Sequence, residues 1–213
     1  RVVIPEYVVV HDGPPSDTRA KNYYVKYRDY IKNVASSEIY STWPEATIRA
    51  NILAIQSFTL NRVYTEWYRN KGKDFTITSS TAYDHKFVPG RNIFESISAI
   101  VDEIFSEYLS RPNVEQPILT QYCDGKNVSC PNWLSQWGSK ALGDQGYTAI
   151  EILRNYYGDS IYINSTDEIL QRMVYLVLLQ KKRLKPFSEF SVSHRMALSD
   201  SARGIKFPKF MSV

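Results

Sequence analysis

The chain is poor in the residues that most often announce a site or a compartment: among 213 residues there are three histidines and two cysteines. A tetrahedral metal site needs four ligands, so this stock excludes a cysteine- or histidine-rich metal fold, and no metal or other cofactor is expected. No apolar run approaches the roughly 20 residues that span a bilayer, so membrane insertion is not expected. The N-terminus carries neither a basic n-region nor an apolar h-region. The chain opens on Arg1, not Met, and reads as a piece of a longer product. A basic surface is also missing where it would matter. The net charge of +4 comes entirely from the end of the chain: residues 1–167 hold 17 Lys and Arg against 19 Asp and Glu, and residues 168–213 hold 9 against 3. A body without basic excess gives no reason to expect a nucleic-acid partner.

What is present is 43% hydrophobic and 14% aromatic residues, enough for one substantial core. Val2–Val10 is apolar and β-branched and is broken by His11-Asp-Gly-Pro-Pro-Ser-Asp17, so residues 1–22 read as a strand or extended arm and a loop. Tyr27, Ile31, Val34 and Glu38 follow the i, i+4, i+7, i+11 spacing of one helix face, which puts a carboxylate where the pattern calls for a hydrophobe. Such a group finds a partner or takes a raised pKa, and a raised pKa lets a glutamate donate a proton near neutrality. The plainer alternative is that Glu38 ends the helix and faces water.

Thr42, Pro44 and Glu45 spell a capping box for a second helix running to about Asn70, apolar nearly all round and therefore central. Asp74–Thr81 alternates like a strand and leads to a polar loop at 83–90. Asn92 and Glu95 open a third helix whose spacing continues to Arg111. Pro117–Cys123 reads as a strand, Trp133–Leu142 as a short helix or ordered loop, Thr148 with Glu151 as a capping box for a helix ending at Gly158, and Ile161–Ile163 as a short strand. The sum is an α+β domain built around a buried central helix with short strands. Cys123 and Cys130 flank an Asp124-Gly125 turn signal, which suits a disulfide or two free thiols better than a metal.

Two blocks resemble a known family. Asp29-Tyr-Ile-Lys-Asn-Val-Ala-Ser-Ser-Glu38, then Trp43-Pro-Glu45 and Ile48-Arg-Ala-Asn-Ile-Leu-Ala-Ile-Gln-Ser-Phe-Thr-Leu60, is similar to "DYL-x-V-V-x-x-E-M" followed by "W-P-x-E-A-L-K-A-Q-A-V-A-A-R-T-Y-A" of the SpoIID/LytB family. Ser135-Gln-Trp-Gly-Ser-Lys-Ala-Leu142 with Ile152-Leu-Arg-Asn-Tyr-Tyr-Gly158 resembles its "S-Q-x-G-A-x-x-M-A-x-x-G" and "I-L-x-x-Y-Y". The resemblance covers about residues 23–163, within a domain placed at 23–167, and implies a lytic transglycosylase acting on peptidoglycan glycan strands, with Glu38 as the one acid. It also implies a cell-wall or spore-envelope setting outside the cytoplasmic membrane and a possible wall hydrolase partner. Asp84, His85, Ser135, Gln136 and Trp137 are groove candidates; His85 would otherwise be a solvated loop residue, and Trp133 and Trp137 either stack on sugar faces or fill core. The chain departs from the family pattern at Cys130-Pro-Asn-Trp-Leu134, where a histidine is missing, and at Tyr83-Asp84-His85, where a zinc-site cysteine is. A non-catalytic wall-binding or amidase-enhancing module is therefore the alternative.

From about residue 168 the character changes to a basic, irregular tail. Codons compatible with Arg172–Ser188 can read, one frame over, as D-G-V-F-G-P-A-T-E-K-A-V-K-T-F-Q, which resembles the peptidoglycan-binding type 1 motif. The tail is thus expected to be out of frame, with no native core role. A third reading, a membrane-surface protein, depends wholly on that tail.

Overall fold

The computed structural model describes residues 1–169; the tail read as out of frame lies, beyond Ile169, outside them. Five helices and nine short strands make an α+β fold: β1 Ile4–Pro5, β2 Tyr7–His11, β3 Asn22–Lys26, α1 Tyr27–Glu38, α2 Glu45–Tyr64, β4 Ile77–Thr78, α3 Glu95–Ile104, β5 Glu107–Ser110, β6 Tyr122–Cys123, β7 Leu134–Ser135, α4 Gln136–Asp144, α5 Ala149–Tyr157, β8 Tyr162–Ser165 and β9 Glu168–Ile169.

The central helix is α2. From Thr47 to Arg62 every residue but Arg49 is buried, because α1, α3, α4, α5 and β5 all pack on it. A helix with no solvent face must place its polar side chains against neighbouring backbone. Gln56 Nε2 donates to the carbonyls of Ile104 and Glu107 at 3.0 and 2.7 Å, and Asn61 Nδ2 donates to Pro117 at 2.7 Å. Ser57 Oγ donates to Leu53 O and accepts from the Leu109 N–H, and Thr120 Oγ1 donates to Ala54 O. These bonds fix which segments lie beside the helix, where apolar contact alone would let them slide. Close approach adds to this: a Cβ on Gly143 of α4 would run into Thr47 Oγ1.

The first residues do not stand off as an arm. Val2, Ile4, Val8 and Val10 belong to the core, and β2 is the middle strand of a three-stranded sheet, antiparallel to β3 and parallel to β4. Beyond it, β1 pairs in parallel with β9.

Several boundaries differ from those the local signals suggest. The Thr42 capping box does not form: Trp43 N–H closes a turn on Tyr40 O, its indole enters the core, and extended Pro44 holds the cap position before Glu45. α2 stops at Tyr64, short of Asn70, where Glu66 takes φ 46 and a 3-10 turn follows at Arg69–Lys71. α3 starts at Glu95 with Phe94 as its cap residue, not Asn92, and ends at Ile104; residues 107–110 become β5, antiparallel to β8. Gln56 claims the Ile104 and Glu107 carbonyls, and that tertiary pairing overrides the helical spacing. Of Asp74–Thr81 only Ile77–Thr78 is strand, and of Pro117–Cys123 only Tyr122–Cys123. The Thr148–Glu151 box forms at α5, and Gly158 ends that helix.

Candidate active site

Tyr27, Ile31 and Val34 of α1 are fully buried, and Glu38, the last helical residue on that stripe, is half-buried. It ends the helix, yet its carboxylate turns inward to three donors. Oε1 accepts from the Lys86 backbone N–H at 2.8 Å and the Tyr122 hydroxyl at 3.3 Å, and Oε2 accepts from Gln136 Nε2 at 3.4 Å. Burial raises the carboxyl above the usual glutamate range, while the three donors and the Lys86 charge pull it part of the way back. The result is a carboxylic acid that keeps its proton to higher pH than a surface glutamate, with a shell of donors ready for the anion.

α1 also builds that shell. Asn33 exchanges two hydrogen bonds with the Val88 backbone, at 2.8 and 3.0 Å, and Ser36 O accepts from Arg91 while its Oγ accepts from Phe94 N–H. The 84–91 loop is thereby laid along the helix with the Lys86 N–H aimed at Glu38.

The two candidates on this loop are buried and bonded internally, and both line a small cavity shared with Tyr122 and Trp133. His85 is wholly buried: Nδ1 lies 3.0 Å from the Tyr30 hydroxyl, and the ring stacks on Tyr122 at 5.5 Å and packs against Phe58 at 4.5 Å. Burial, with the Arg62 charge second, holds its pKa down to about 3, so the ring is neutral and backs Tyr122. The Asp84 side chain has 0% exposure and accepts from Arg62 Nε at 2.8 Å, Tyr68 OH at 2.6 Å, and the Thr78 N–H and hydroxyl at 3.0 and 2.8 Å. It ties α2 to β4. A polar loop pattern says nothing of a partner on a distant buried helix, which is why both residues read as solvent-facing.

Of the α4 candidates, Ser135 caps the helix by accepting from Gly138 N–H at 2.9 Å, and Gln136 reaches Glu38. Trp137 is half-buried, with its ring 5.1 Å from Trp43 and 5.9 Å from Tyr40, and Lys126 Nζ lies 4.5 Å over it. Tyr40 is 58% exposed, so an aromatic corner opens to solvent two residues from Glu38.

No protein-family model matches the chain, and no curated protein does. The chemistry therefore has to be read from the geometry. Tyr122 and Lys86 carry no signal in the sequence: Lys86 acts through its backbone N–H, which no side-chain pattern marks, and Tyr122 is brought in by tertiary pairing. β6 and β7 form a parallel two-rung ladder, Tyr122 opposite Leu134 and Cys123 opposite Ser135. The segment between them is closed by a Cys123–Cys130 disulfide. Asp124 accepts from the N–H groups of Lys126, Asn127 and Val128, and Gly125 takes φ 69, where a Cβ would collide with Ser135. Among the described residues no three His, Cys, Asp or Glu side chains come together to hold a metal ion, and no helix is long and apolar enough to cross a membrane.

Proposed function

We propose that the chain acts on peptidoglycan as a lytic transglycosylase, cleaving glycan strands with Glu38 as its single acid and base. The observation that carries this reading is a half-buried carboxyl of raised pKa beside the exposed aromatic corner of Tyr40 and Trp137, at the position where the SpoIID/LytB resemblance puts the acid. Protonated Glu38 gives its proton to the glycosidic oxygen as that oxygen leaves C1. The carboxylate so formed, held by Tyr122, Gln136 and the Lys86 N–H, takes the proton of the muramic acid 6-hydroxyl as its oxygen bonds to C1 and closes a 1,6-anhydro ring. One carboxyl group serves both transfers and no water is consumed, unlike hydrolysis by a carboxylate pair. Tyr40 and Trp137 supply faces on which a sugar ring stacks. This chemistry belongs to the cell wall or spore envelope, where a wall hydrolase acting on the same polymer is the natural partner.

A second reading, a non-catalytic wall-binding or amidase-enhancing module, draws on the internal commitments of Asp84, His85 and Ser135, which leave fewer groups to meet a substrate. Digestion of purified glycan strands, with and without stem peptides, by the full chain and by Glu38→Gln separates the two. Mass spectrometry is expected to find anhydro-muramic ends from the parent and none from the variant. Strands bound but left intact by the parent would establish the binding module.

A further inference from the structure

A second surface lies beside the acid's support, and none of its polar groups is used by the chemistry above. A groove of about 530 Å³ runs past Trp133, Tyr156 and Tyr157, with Gln116, Gln121 and Asn132 among its polar lining. That volume is in the range of small-ligand sites. Gln121 and Trp133 also line a smaller cavity of about 60 Å³ that reaches His85 and Tyr122, so the groove borders the residues that support Glu38.

The lining is chemically selective. Trp43, Trp67 and Trp137 are each engaged with a ring or a cation, whereas Trp133 meets neither among the described residues and is half-buried with a face to spare. The Gln116, Gln121 and Asn132 side chains form no hydrogen bond among the described residues, leaving planar donor and acceptor groups around an indole. Arg111 is the one charged residue of the lining. It is exposed, forms no ion pair among the described residues, and spends one N–H on Tyr157 O at 3.1 Å, which steadies the guanidinium and leaves its other donors free. An aromatic face with amides around it suits a sugar ring bearing hydroxyl and acetamido groups, and a guanidinium held in no ion pair among the described residues suits an anion of planar, two-oxygen form.

We propose that this groove is a saccharide-binding site for an N-acetylated sugar carrying a carboxylate, which stacks on Trp133 and pairs with Arg111. The choice of saccharide rests on the glycan reading above. In a wall strand the carboxylate has two sources, the lactyl group of the bare sugar or the stem peptide attached to it.

The test is calorimetric titration of the full chain carrying Glu38→Gln, which leaves the ligand intact, with tetrasaccharides of three kinds: bare wall glycan, the same glycan with stem peptides, and neutral chitotetraose. A carboxylated ligand is expected to bind about tenfold more tightly than chitotetraose. Adding Arg111→Gln, an exposed substitution whose unchanged melting temperature checks the fold, is expected to erase that preference while leaving chitotetraose binding as it was. Trp133→Ala is expected to weaken all three. Preference for bare glycan assigns the lactyl carboxylate, and preference for the substituted strand assigns the peptide. Equal affinity for charged and neutral ligands, a preference that survives Arg111→Gln, or no binding at all would overturn the site. If the Arg111-dependent preference appears while the parent cleaves nothing, the groove stands and the lytic reading falls; cleavage without the preference does the reverse.

Discussion

Asp84→Asn tests whether the 84–85 segment is structural. The substitution keeps the shape of the side chain and removes its charge. Arg62 Nε, 2.8 Å away, is then a buried cation without its anion, since the two side chains are 9% and 0% exposed. Asn has one oxygen where Asp84 offered two. Either Arg62 or the group made of Tyr68 OH and the Thr78 N–H and hydroxyl must face an amide NH2. Breaking a buried pair from one side costs about 3–5 kcal/mol. For a body of this size that lowers the melting temperature by about 6–20 °C. Urea unfolding of the full chain, followed by circular dichroism, should show the midpoint falling with the slope unchanged. The double variant Asp84→Asn/Arg62→Met should lose less than the two single losses combined, because it removes the orphaned charge. A loss for Asp84→Asn within about 0.5 kcal/mol of the parent, the range of an ordinary surface change, would refute the account. So would a variant of parental stability that no longer handles glycan, which would return Asp84 to the groove.

Two further outcomes follow from the raised pKa of Glu38. The folded state binds this proton more tightly than the unfolded chain does, so ionisation destabilises the fold: the penalty is absent below the ordinary glutamate range and complete above the raised folded value. Glu38→Gln should therefore melt higher than the parent at pH 7.5 and close to it at pH 3.5; scanning calorimetry at both values checks this, and a difference independent of pH contradicts it. Tyr122→Phe removes a donor that favours the anion, which raises the carboxyl further, so the alkaline limb of the pH–activity profile should move to higher pH; an unmoved limb, or one displaced downward, would show that the hydroxyl does not act on Glu38.

Sequence reasoning worked where a signal and its partner are neighbours, or where a whole stretch carries one message. The Thr148–Glu151 box is complete within four residues and forms as written. The all-round apolar pattern of α2 has one physical solution, a helix enclosed on every side. Glu38 was legible for the same reason: one carboxylate on a stripe of buried hydrophobes is visible without knowing what it meets. Local patterns failed where a distant group had the stronger claim. The helical spacing past Ile104 gave way to Gln56 and to pairing with β8, and the Thr42 box gave way to Trp43 entering the core. The partners of Asp84 lie on α2, in the segment that follows it and on β4, so no reading of residues 83–90 reveals them.

The disulfide-closed segment between β6 and β7 has a bearing on how the acid is tuned. Tyr122 lies on one rung of that ladder, and Gln136 directly follows the other strand. The two side-chain donors to Glu38 are therefore mechanically ganged. A disturbance in residues 124–133, none of which hydrogen-bonds the carboxyl, reaches both donors together. Proton affinity at a half-buried site is in this way linked to a largely exposed stretch of chain that does not itself bond the carboxyl, a remote adjustment of acid strength.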